Sequence, residues 1–248
     1  MSSRLIISLA TYNESGNLRA LVEEIRRCLP EADILVIDDN SPDGTGKIAD
    51  ELSRADRSVH VLHRPGKMGL GTAVLAGMRY AIENGYEYLI NMDADFSHPP
   101  RYLQSLLAGA QGDGLDVMIG SRYVAGGGIA GEQFNFKRKF MSGGINAYAR
   151  FWLGLKSRDN SGSYRCYRTE MLKRIPFEKI RSRGYSFMEE ILYGCLEAGA
   201  KIGETPILFE NRRAGASKIN KMEAVNALRI IAELGVGRAL GRDYARVD

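Results

Sequence analysis

The sequence is poor in cysteine and has no long hydrophobic run. Its 248 residues include only three cysteines, and their spacing matches neither a disulfide framework nor a metal-binding motif. We therefore expect free thiols and a reducing compartment. No stretch reaches the roughly 20 apolar residues that a membrane-spanning helix needs. The apolar run at residues 5–10 is also shorter than a secretory signal peptide requires.

Net charge is low, but the positive excess is confined to one segment. The chain has 34 basic and 30 acidic residues, which gives a formal charge of +4. Residues 121–150 contain five basic residues and one acidic residue, so this segment accounts for the whole excess. Such a segment favours an anionic partner, with a solvated basic loop as the alternative. We predict no nucleic-acid partner.

Short apolar segments alternate with amphipathic ones through the first half of the chain. Strands are predicted at residues 5–9, 34–37, 59–62, 88–92 and 117–119, and helices at residues 18–28, 46–52, 72–84 and 102–110. This pattern predicts an α/β fold with right-handed βαβ units and a mostly parallel sheet that helices cover on both faces. Ligands of such sheets bind at the carboxyl ends of the strands. We therefore expect four loops to gather at one edge, at residues 11–14, 38–43, 63–71 and 93–97.

Two carboxylates, Asp93 and Asp95, follow the predicted strand at residues 88–92. In extended geometry both side chains would project to the same face. Adjacent carboxylates repel unless a cation lies between them, and a hard divalent ion such as Mg²⁺ binds through one or two carboxylates plus substrate phosphates. The sequence therefore predicts a metal–diphosphate site at this edge. The alternative is that Asp95 caps the next helix and Asp93 is solvated.

Two glycine-containing segments look like nucleotide-binding loops but lack essential residues. Residues 69–74 lack the third glycine of a dinucleotide fingerprint, and residues 44–48 lack the hydroxyl that a phosphate-binding loop uses for its metal. We therefore expect neither an NAD enzyme nor a P-loop ATPase. His98 could serve as a base, but a structural role before Pro99 and Pro100 is favoured.

The second half of the chain breaks the alternation. Residues 134–141 mix phenylalanine with lysine and arginine, which is typical of a lipid interface, although core packing of the aromatic rings is an equal alternative. Strands are predicted at residues 163–167 and, interrupted by Pro206, at residues 202–209. Helices are predicted at residues 187–198 and 222–240. The last helix carries charged residues, so it should pack on another element rather than span a bilayer.

Several motifs, in their order along the chain, resemble family-2 glycosyltransferases of the GT-A fold. They are LATYNE (9–14), VIDDNSPDGT (36–45), GLGTA (69–73) and DADFSHPP (93–100). Five more are similar to one branch, the dolichyl- or polyprenyl-phosphate mannosyltransferases. They are GSRY (120–123), KRK (137–139), GSYR (162–165), GETPI (203–207) and NRRAGASK (211–218). The resemblance extends from about residue 4 to the last helix.

This resemblance implies transfer of mannose from GDP-mannose to a dolichyl or polyprenyl phosphate, with inversion at the sugar carbon and with Mg²⁺ or Mn²⁺ as cofactor. The residues it implies as catalytic are Asp93, Asp95 and Arg122, with Asp93 and Asp95 also holding the metal. The implied donor-binding residues are Ala10, Tyr12, Glu14, Ile37, Asp39, Asp93, Ala94, Asp95, Arg122, Arg212 and Lys218. The implied acceptor-phosphate residues are Arg122, Arg138 and Ser142.

The same resemblance implies one glycosyltransferase domain over residues 1–248. Residues 1–121 would form the nucleotide-sugar half, and residues 122–248 the acceptor and membrane-side half, with a lid loop at residues 212–219. The chain resembles the short type without transmembrane helices, which docks on the cytoplasmic face of a membrane or relies on a small membrane-anchoring subunit; a cytoplasmic location is the alternative. Two residues depart from the family pattern. Ala10 stands where proline is usual, and the absence of proline should loosen the first loop. Met188 stands where glutamine is frequent.

The implied acceptor simplifies the chemistry. A phosphate monoester is largely dianionic at neutral pH, so it is already a nucleophile and needs no strong general base. The site must instead hold two anions side by side, and Arg122 and Arg138 are candidates to offset their repulsion. Two alternatives stay open: a polyprenyl-phosphate glucosyltransferase that uses UDP-glucose, and a non-catalytic protein that binds nucleotide sugar or lipid phosphate.

Overall fold

A seven-stranded mixed sheet forms the centre of the molecule. The computed structural model describes residues 4–112, 114–130, 136–184, 186–210, 212, 221–241 and 244, without the side chains of residues 136–141 and 221–224. The strands are β1 (Leu5–Thr11), β2 (Asp33–Asp38), β3 (Val59–His63), β4 (Tyr88–Asp93), β5 (Val117–Ser121), β6 (Gly128–Ile129), β7 (Arg165–Arg168), β8 (Ile202–Pro206) and β9 (Leu208–Phe209). The helices are α1 (Leu18–Cys28), α2 (Thr45–Ala55), α3 (Leu70–Glu83), α4 (Leu103–Gly112), α5 (Phe136–Leu153), α6 (Thr169–Leu172), α7 (Phe187–Glu197) and α8 (Lys221–Ala239).

The sheet is mostly parallel, as predicted. Its strand order is β3-β2-β1-β4-β7-β5-β8. Every neighbouring pair is parallel except at β7, which runs antiparallel to both β4 and β5. β6 and β9 form a separate two-stranded parallel sheet. Strands from both halves of the chain therefore share one sheet, although the proposed division at residue 121 stays a prediction.

Alternating side chains of the central strands supply two separate cores. Ile7 and Leu9 of β1 belong to the core beneath α1, α2 and α4, whereas Ile6 packs with Ile37 and residues of α3 and α7 on the opposite face. A strand whose two faces are both buried reads as a continuous apolar run, which is why β1, β2 and β4 stood out in the sequence. Burying one isoleucine or leucine stabilises the fold by about 1.5–3 kcal/mol.

Helix α5 was not predicted. Its middle contains Gly143 and Gly144, which are poor helix formers and weaken the sequence pattern. Its second half packs beside α8, and Ala149 and Leu153 are buried in the same core as Ile231. Tertiary packing therefore stabilises this helix despite its composition. The lipid-interface interpretation of residues 134–141 concerns side chains outside the described part, so it stays a prediction. No helix within the described residues is long and apolar enough to cross a membrane.

The Gly69-Leu70-Gly71 motif has a packing role at the start of α3. The Gly71 N–H donates a 2.9 Å hydrogen bond to the Arg183 carbonyl oxygen. A Cβ atom on Gly71 would lie 2.6 Å from the Phe187 Cβ atom, and Gly69 has a φ of +101°. Glycine therefore allows the backbone before α7 to contact the first turn of α3. This contact explains the motif without any dinucleotide.

Candidate active site

Loops from the first four strands meet at the carboxyl edge of the sheet, as predicted. The Thr11 hydroxyl donates to the Ile37 carbonyl oxygen at 3.2 Å, and the Asn13 N–H donates to the Ser41 hydroxyl oxygen at 3.1 Å. The Arg64 N–H donates to the Asp38 carbonyl oxygen at 2.8 Å. These bonds tie the ends of β1, β2 and β3 together. Ala10 pairs in register with Asp93, which places the end of β4 beside them.

One polar pocket of this edge is formed around Asp39. Its side chain is 8% exposed, and its Oδ1 atom lies 3.2 Å from the Arg64 Nη1 atom. The Met68 N–H donates to Asp39 Oδ2 at 3.4 Å. Burial raises the pKa of Asp39 above its ordinary value, against the opposing charge of Arg64. The Lys67 ammonium lies 4.9 Å from the centre of the Tyr12 ring. The Tyr12 ring and the Asp39 carboxylate are therefore both close to the loop that contains Lys67 and Met68.

The other proposed nucleoside residues contribute in different ways. The Glu14 N–H donates to the Thr45 hydroxyl oxygen at 2.9 Å, which fixes the first loop against α2. The Ile37 side chain is fully buried in the core beneath α3, so only its backbone can contact a ligand. Ala10 lies within β1 rather than in a loop. Both neighbouring strands hold the residue in register, and the expected effect of this alanine on the first loop stays a prediction.

Asp93 and Asp95 have different backbone settings. β4 ends at Asp93, and Asp95 lies in the following turn, where Phe96 adopts a φ of +66°. The extended geometry expected for both residues is therefore wrong for Asp95. The Ser163 hydroxyl donates to Asp93 Oδ1 at 2.8 Å. The Ser97 N–H and hydroxyl both donate to Asp95 Oδ1, at 3.0 and 2.5 Å. Asp95 thus closes a local turn rather than capping a helix.

A guanidinium group also contacts Asp95. The Arg212 Nε atom lies 2.8 Å from Asp95 Oδ2, and the Asp95 side chain is 5% exposed. The Glu210 N–H donates to the Ser97 carbonyl oxygen at 3.1 Å, which holds the segment before Arg212 against the turn. The predicted donor-binding residue Arg212 is therefore at the acidic pair. Lys218 and residues 213–219 of the proposed lid lie outside the described residues.

His98 is buried against the turn that contains Asp93 and Asp95. It is 2% exposed, and its Nδ1 atom accepts a 3.0 Å hydrogen bond from the Asp93 N–H. Its ring stacks on Tyr164, with 4.8 Å between the ring centres. Burial lowers the pKa of His98, in spite of the nearby charges of Asp93 and Asp95. These contacts agree with the structural role that the sequence favoured.

Arg122 is held by a buried carboxylate. Its Nε and Nη2 atoms donate to the two oxygens of Asp159 at 2.7 and 2.6 Å, and Nη2 also donates to the Ser161 hydroxyl oxygen at 3.0 Å. Burial would lower the pKa of Arg122, but Asp159 raises it above its ordinary value. Burial would likewise raise the pKa of Asp159, but Arg122 holds it below its ordinary value. Both groups therefore stay charged, and Asp93 also acts on the charge of Arg122.

The proposed acceptor residue Ser142 is hydrogen-bonded to the residue that follows Arg122. The hydroxyl of Tyr123, the residue after Arg122, donates to the Ser142 Oγ atom at 2.7 Å. This bond connects α5 to the loop after β5. The backbone of Arg138 is part of the same helix, but the side chain of Arg138 is outside the described part of the structure.

Comparison with known proteins identifies the family. Residues 6–176 match the glycosyl transferase family 2 domain. The chain belongs to glycosyl transferase family 2. Polyprenol monophosphomannose synthase from Mycolicibacterium smegmatis is 40% identical over 242 residues, which cover 97% of this chain and 90% of that protein. Undecaprenyl-phosphate mannosyltransferase from Micrococcus luteus is 42% identical over 217 residues, which cover 88% of each.

Solved structures support the fold of this glycosyltransferase. Glucosyl-3-phosphoglycerate synthase from Mycobacterium tuberculosis, in complex with Mn²⁺, UDP and glucosyl-3-phosphoglycerate, has a TM-score of 0.60 and 16% identity. The match covers 100% of this chain and 82% of that one. TarS from S. aureus, in complex with UDP, has a TM-score of 0.56 and 19% identity, with 92% and 65% coverage. At such identities the likeness establishes the fold alone, which is the GT-A type.

The acidic pair of this glycosyltransferase fits a divalent cation. Carboxylate oxygens are the ligands that Mg²⁺ and Mn²⁺ prefer, and such ions commonly use one or two of them together with substrate phosphates. No cluster of three or more His, Cys, Asp or Glu side chains suited to a metal occurs within the described residues. Asp93 and Asp95 would therefore hold a cation only together with other oxygen ligands. A diphosphate is one source of these.

The sequence missed several side chains that organise this site. Asp159 binds Arg122 from 37 residues away, Ser163 binds Asp93 from 70 residues away, and Arg64 forms an ion pair with Asp39. For Asp159 and Ser163, polar composition at residues 157–163 was the only available signal, because no local spacing connects these pairs. Arg64 immediately follows β3, so the rule that ligands bind at the carboxyl ends of strands could have identified it.

Proposed function

We propose that this glycosyltransferase moves mannose from GDP-mannose to a polyprenyl phosphate such as dolichyl phosphate, in a metal-dependent reaction that inverts the sugar carbon. Two relatives named for polyprenol and undecaprenyl phosphate mannose transfer, at 40% and 42% identity, support this substrate class. The single observation that carries the proposal is the acidic pair at the end of β4. It lies beside the guanidinium of Arg212 and within the field of Arg122.

The donor would bind along the edge from Asp39 to Asp95. Tyr12, Glu14 and Asp39 would contact the nucleoside, since the aromatic ring and the carboxylate lie at the ends of β1 and β2. Asp93 and Asp95, with the backbone of Ala94, would hold the metal and diphosphate. A divalent cation bound there would stabilise the charge that develops on the leaving nucleoside diphosphate. Arg212 and Lys218 would contact the same phosphates.

The acceptor phosphate would bind next to Arg122. Asp159 and Ser161 engage the Nε and Nη2 atoms, and within the described residues Nη1 has no hydrogen-bond partner. We infer that Nη1 binds the acceptor phosphate and that Arg138 and Ser142 contact the same group. Because Asp159 fixes the guanidinium plane, this contact requires no rearrangement when substrate arrives. The dianionic acceptor supplies its own nucleophile, so His98 is not needed as a base.

A lipid-linked acceptor places the enzyme at a membrane. We propose peripheral attachment on the cytoplasmic face, either directly or through a small anchoring subunit, and no nucleic-acid partner. The predicted lid at residues 212–219 would close over the nucleotide through Arg212 and Lys218.

The test is transfer of radiolabelled sugar to a short-chain polyprenyl phosphate dispersed in detergent. GDP-mannose and UDP-glucose serve as alternative donors, each with Mg²⁺, with Mn²⁺ and with a chelator. We expect label in the lipid product from GDP-mannose only, and its loss with the chelator. Transfer from UDP-glucose instead would favour the glucosyltransferase alternative. Nucleotide binding without any single-turnover transfer would reject the catalytic proposal.

A further inference from the structure

A cavity of about 410 Å³ lies between the segment before α7 and the side of α8. Neither the predicted donor site nor the predicted acceptor site uses it. Its lining includes Arg181 and Arg183 from the segment, and Asn226, Arg229, Ile230 and Glu233 from α8. Three arginines against one glutamate give the cavity a positive charge.

The charges in this cavity are only partly balanced. Glu233 lies 2.7 Å from the Arg229 Nε atom and 3.3 Å from the Arg181 Nη1 atom, so one carboxylate serves two guanidinium groups. The exposed Arg183 side chain has no ion-pair partner among the residues that the structure describes. The cavity therefore has guanidinium N–H donors available for an anion, and guanidinium binds phosphate oxygens in a bidentate manner.

The cavity lies toward the carboxyl edge of the sheet, where the proposed active site is. The Arg183 carbonyl oxygen accepts the hydrogen bond from Gly71 at the first turn of α3. α3 follows the carboxyl end of β3, the edge at which Asp39, Asp93 and Asp95 lie. An anion bound by Arg183 would therefore be on the same side of the molecule as the proposed active site.

Exposed apolar side chains of α8 border the cavity. Val225 is 58% exposed and Val236 is 46% exposed. Val225 is four residues before Arg229 and Val236 is three residues after Glu233, so each is next to a cavity residue on the helix surface. A positive cavity bordered by exposed valines is the composition of a surface that contacts lipid headgroups and the first part of their acyl chains.

We propose that this cavity binds the phosphate of an anionic membrane phospholipid and turns the active-site edge toward the bilayer. The inference rests on the proposed function, because an enzyme that acts on a polyprenyl phosphate must reach the lipid surface. Arg183 and Arg229 bind the headgroup phosphate, while Val225 and Val236 enter the region between headgroups and acyl chains. A free phosphate would use the same arginines, but it would leave the apolar rim in water, so the lipid is favoured.

The experiment measures co-flotation of the full chain with vesicles, without donor or acceptor. One vesicle set contains phosphatidylglycerol and phosphatidylcholine, and the other contains phosphatidylcholine alone. We expect binding to the first set only, weakening as salt is raised. Arg183→Glu should reduce this binding by at least about fivefold, since each basic residue near an anionic surface contributes roughly that factor. Arg57→Glu is the matched control, because this exposed arginine precedes β3 at the opposite edge; it should bind like the wild type.

Two further variants separate the possible ligands. Arg229→Gln, on a different element from Arg183, should also weaken vesicle binding, so a folding defect in one variant does not decide the result. Val225→Ser should weaken vesicle binding as well, because the Val225 side chain would contact only a lipid. Inorganic phosphate at millimolar concentration should not displace the vesicles.

Three outcomes would overturn the inference. They are equal binding to both vesicle sets, wild-type binding by Arg183→Glu and Arg229→Gln, and displacement by inorganic phosphate together with wild-type binding by Val225→Ser. The last would indicate a site for a soluble phosphate compound. Sugar transfer by the wild-type protein to a detergent-dispersed acceptor is measured separately, so failure of the proposed function and failure of this inference are distinguishable.

Discussion

The Arg212 guanidinium contacts a carboxylate of the proposed metal site: its Nε atom lies 2.8 Å from Asp95 Oδ2. A metal ion that uses this oxygen would have to displace the guanidinium. A nucleoside diphosphate that arrives with the metal would offer Arg212 new anionic partners nearby. Metal binding and the position of Arg212 should therefore be coupled.

Replacing Arg212 should change metal and nucleotide affinity in opposite directions. In Arg212→Gln we expect Mn²⁺ to bind more tightly without nucleotide, because its cationic competitor is gone. GDP in the presence of Mn²⁺ should bind about tenfold more weakly, since a charge-assisted contact to the diphosphate is lost. Paramagnetic resonance titration of Mn²⁺ and calorimetry of GDP measure the two effects. An unchanged Mn²⁺ affinity would show that the ion pair does not compete with the metal.

Asp95 should carry the metal dependence of nucleotide binding. Asp95→Asn keeps the shape of the turn but removes the charge that a divalent cation needs. We expect GDP affinity to become the same with and without Mg²⁺. Asp50→Asn is the control, because Asp50 is a partly exposed carboxylate of α2 that pairs with His63 at the end of β3. If GDP still required Mg²⁺ in Asp95→Asn, the metal would have to bind elsewhere.

The Arg122–Asp159 pair should contribute to both stability and turnover. Arg122→Gln leaves a fully buried carboxylate without its partner, and breaking a buried pair in this way costs about 3–5 kcal/mol of unfolding free energy. The double variant Arg122→Gln/Asp159→Asn removes both charges and should recover much of that loss. We expect its turnover to stay low, because the Arg122 guanidinium no longer faces the acceptor phosphate. Denaturant unfolding and the transfer assay measure these effects, and wild-type turnover in the stable double variant would exclude Arg122 from catalysis.

Glu189 should make stability depend on pH. Its side chain is 3% exposed on α7, and burial raises its pKa to about 7, against the favourable charge of Arg165. The unfolded state loses this proton near the ordinary pKa of 4.5, whereas the folded state keeps it until about pH 7. Stability should therefore fall as pH rises through this window.

Glu189→Gln should remove that fall, because glutamine does not titrate. Relative to the wild type, its unfolding free energy should rise by about 3 kcal/mol between pH 4.5 and pH 8. Urea unfolding at several pH values measures this difference. Parallel pH profiles for the two proteins would mean that Glu189 titrates normally.

The contact between α3 and the start of α7 should tolerate no added methyl group at Gly71. A Cβ atom there would meet the Phe187 Cβ atom at 2.6 Å, so Gly71→Ala should destabilise the protein by about 1–3 kcal/mol. Gly66→Ala is the matched control, because a Cβ atom at Gly66 has no neighbour within 4 Å. Thermal unfolding of both variants provides the comparison. Equal melting temperatures would show that the two elements can separate without cost.

The sequence predicted the architecture of the first half with boundaries within a few residues. Helix α1 was predicted at residues 18–28 and occurs there, and the five strands were each extended by one or two residues. These elements have strong periodicity because each must bury an apolar face. The prediction failed at α5, where glycines and basic residues hide the pattern and packing on α8 supplies the stability.

The candidate site was predicted in its parts but not in its connections. By itself, the sequence determined that Asp93 and Asp95 follow a buried strand and that positive charge collects after residue 121, since both features are local. Only the tertiary structure decided that β7 enters the sheet antiparallel between β4 and β5. This placement brings Ser163 to Asp93 and Asp159 to Arg122. The pairing of distant charged groups depends on how the strands are ordered in space, and no spacing along the chain encodes that order.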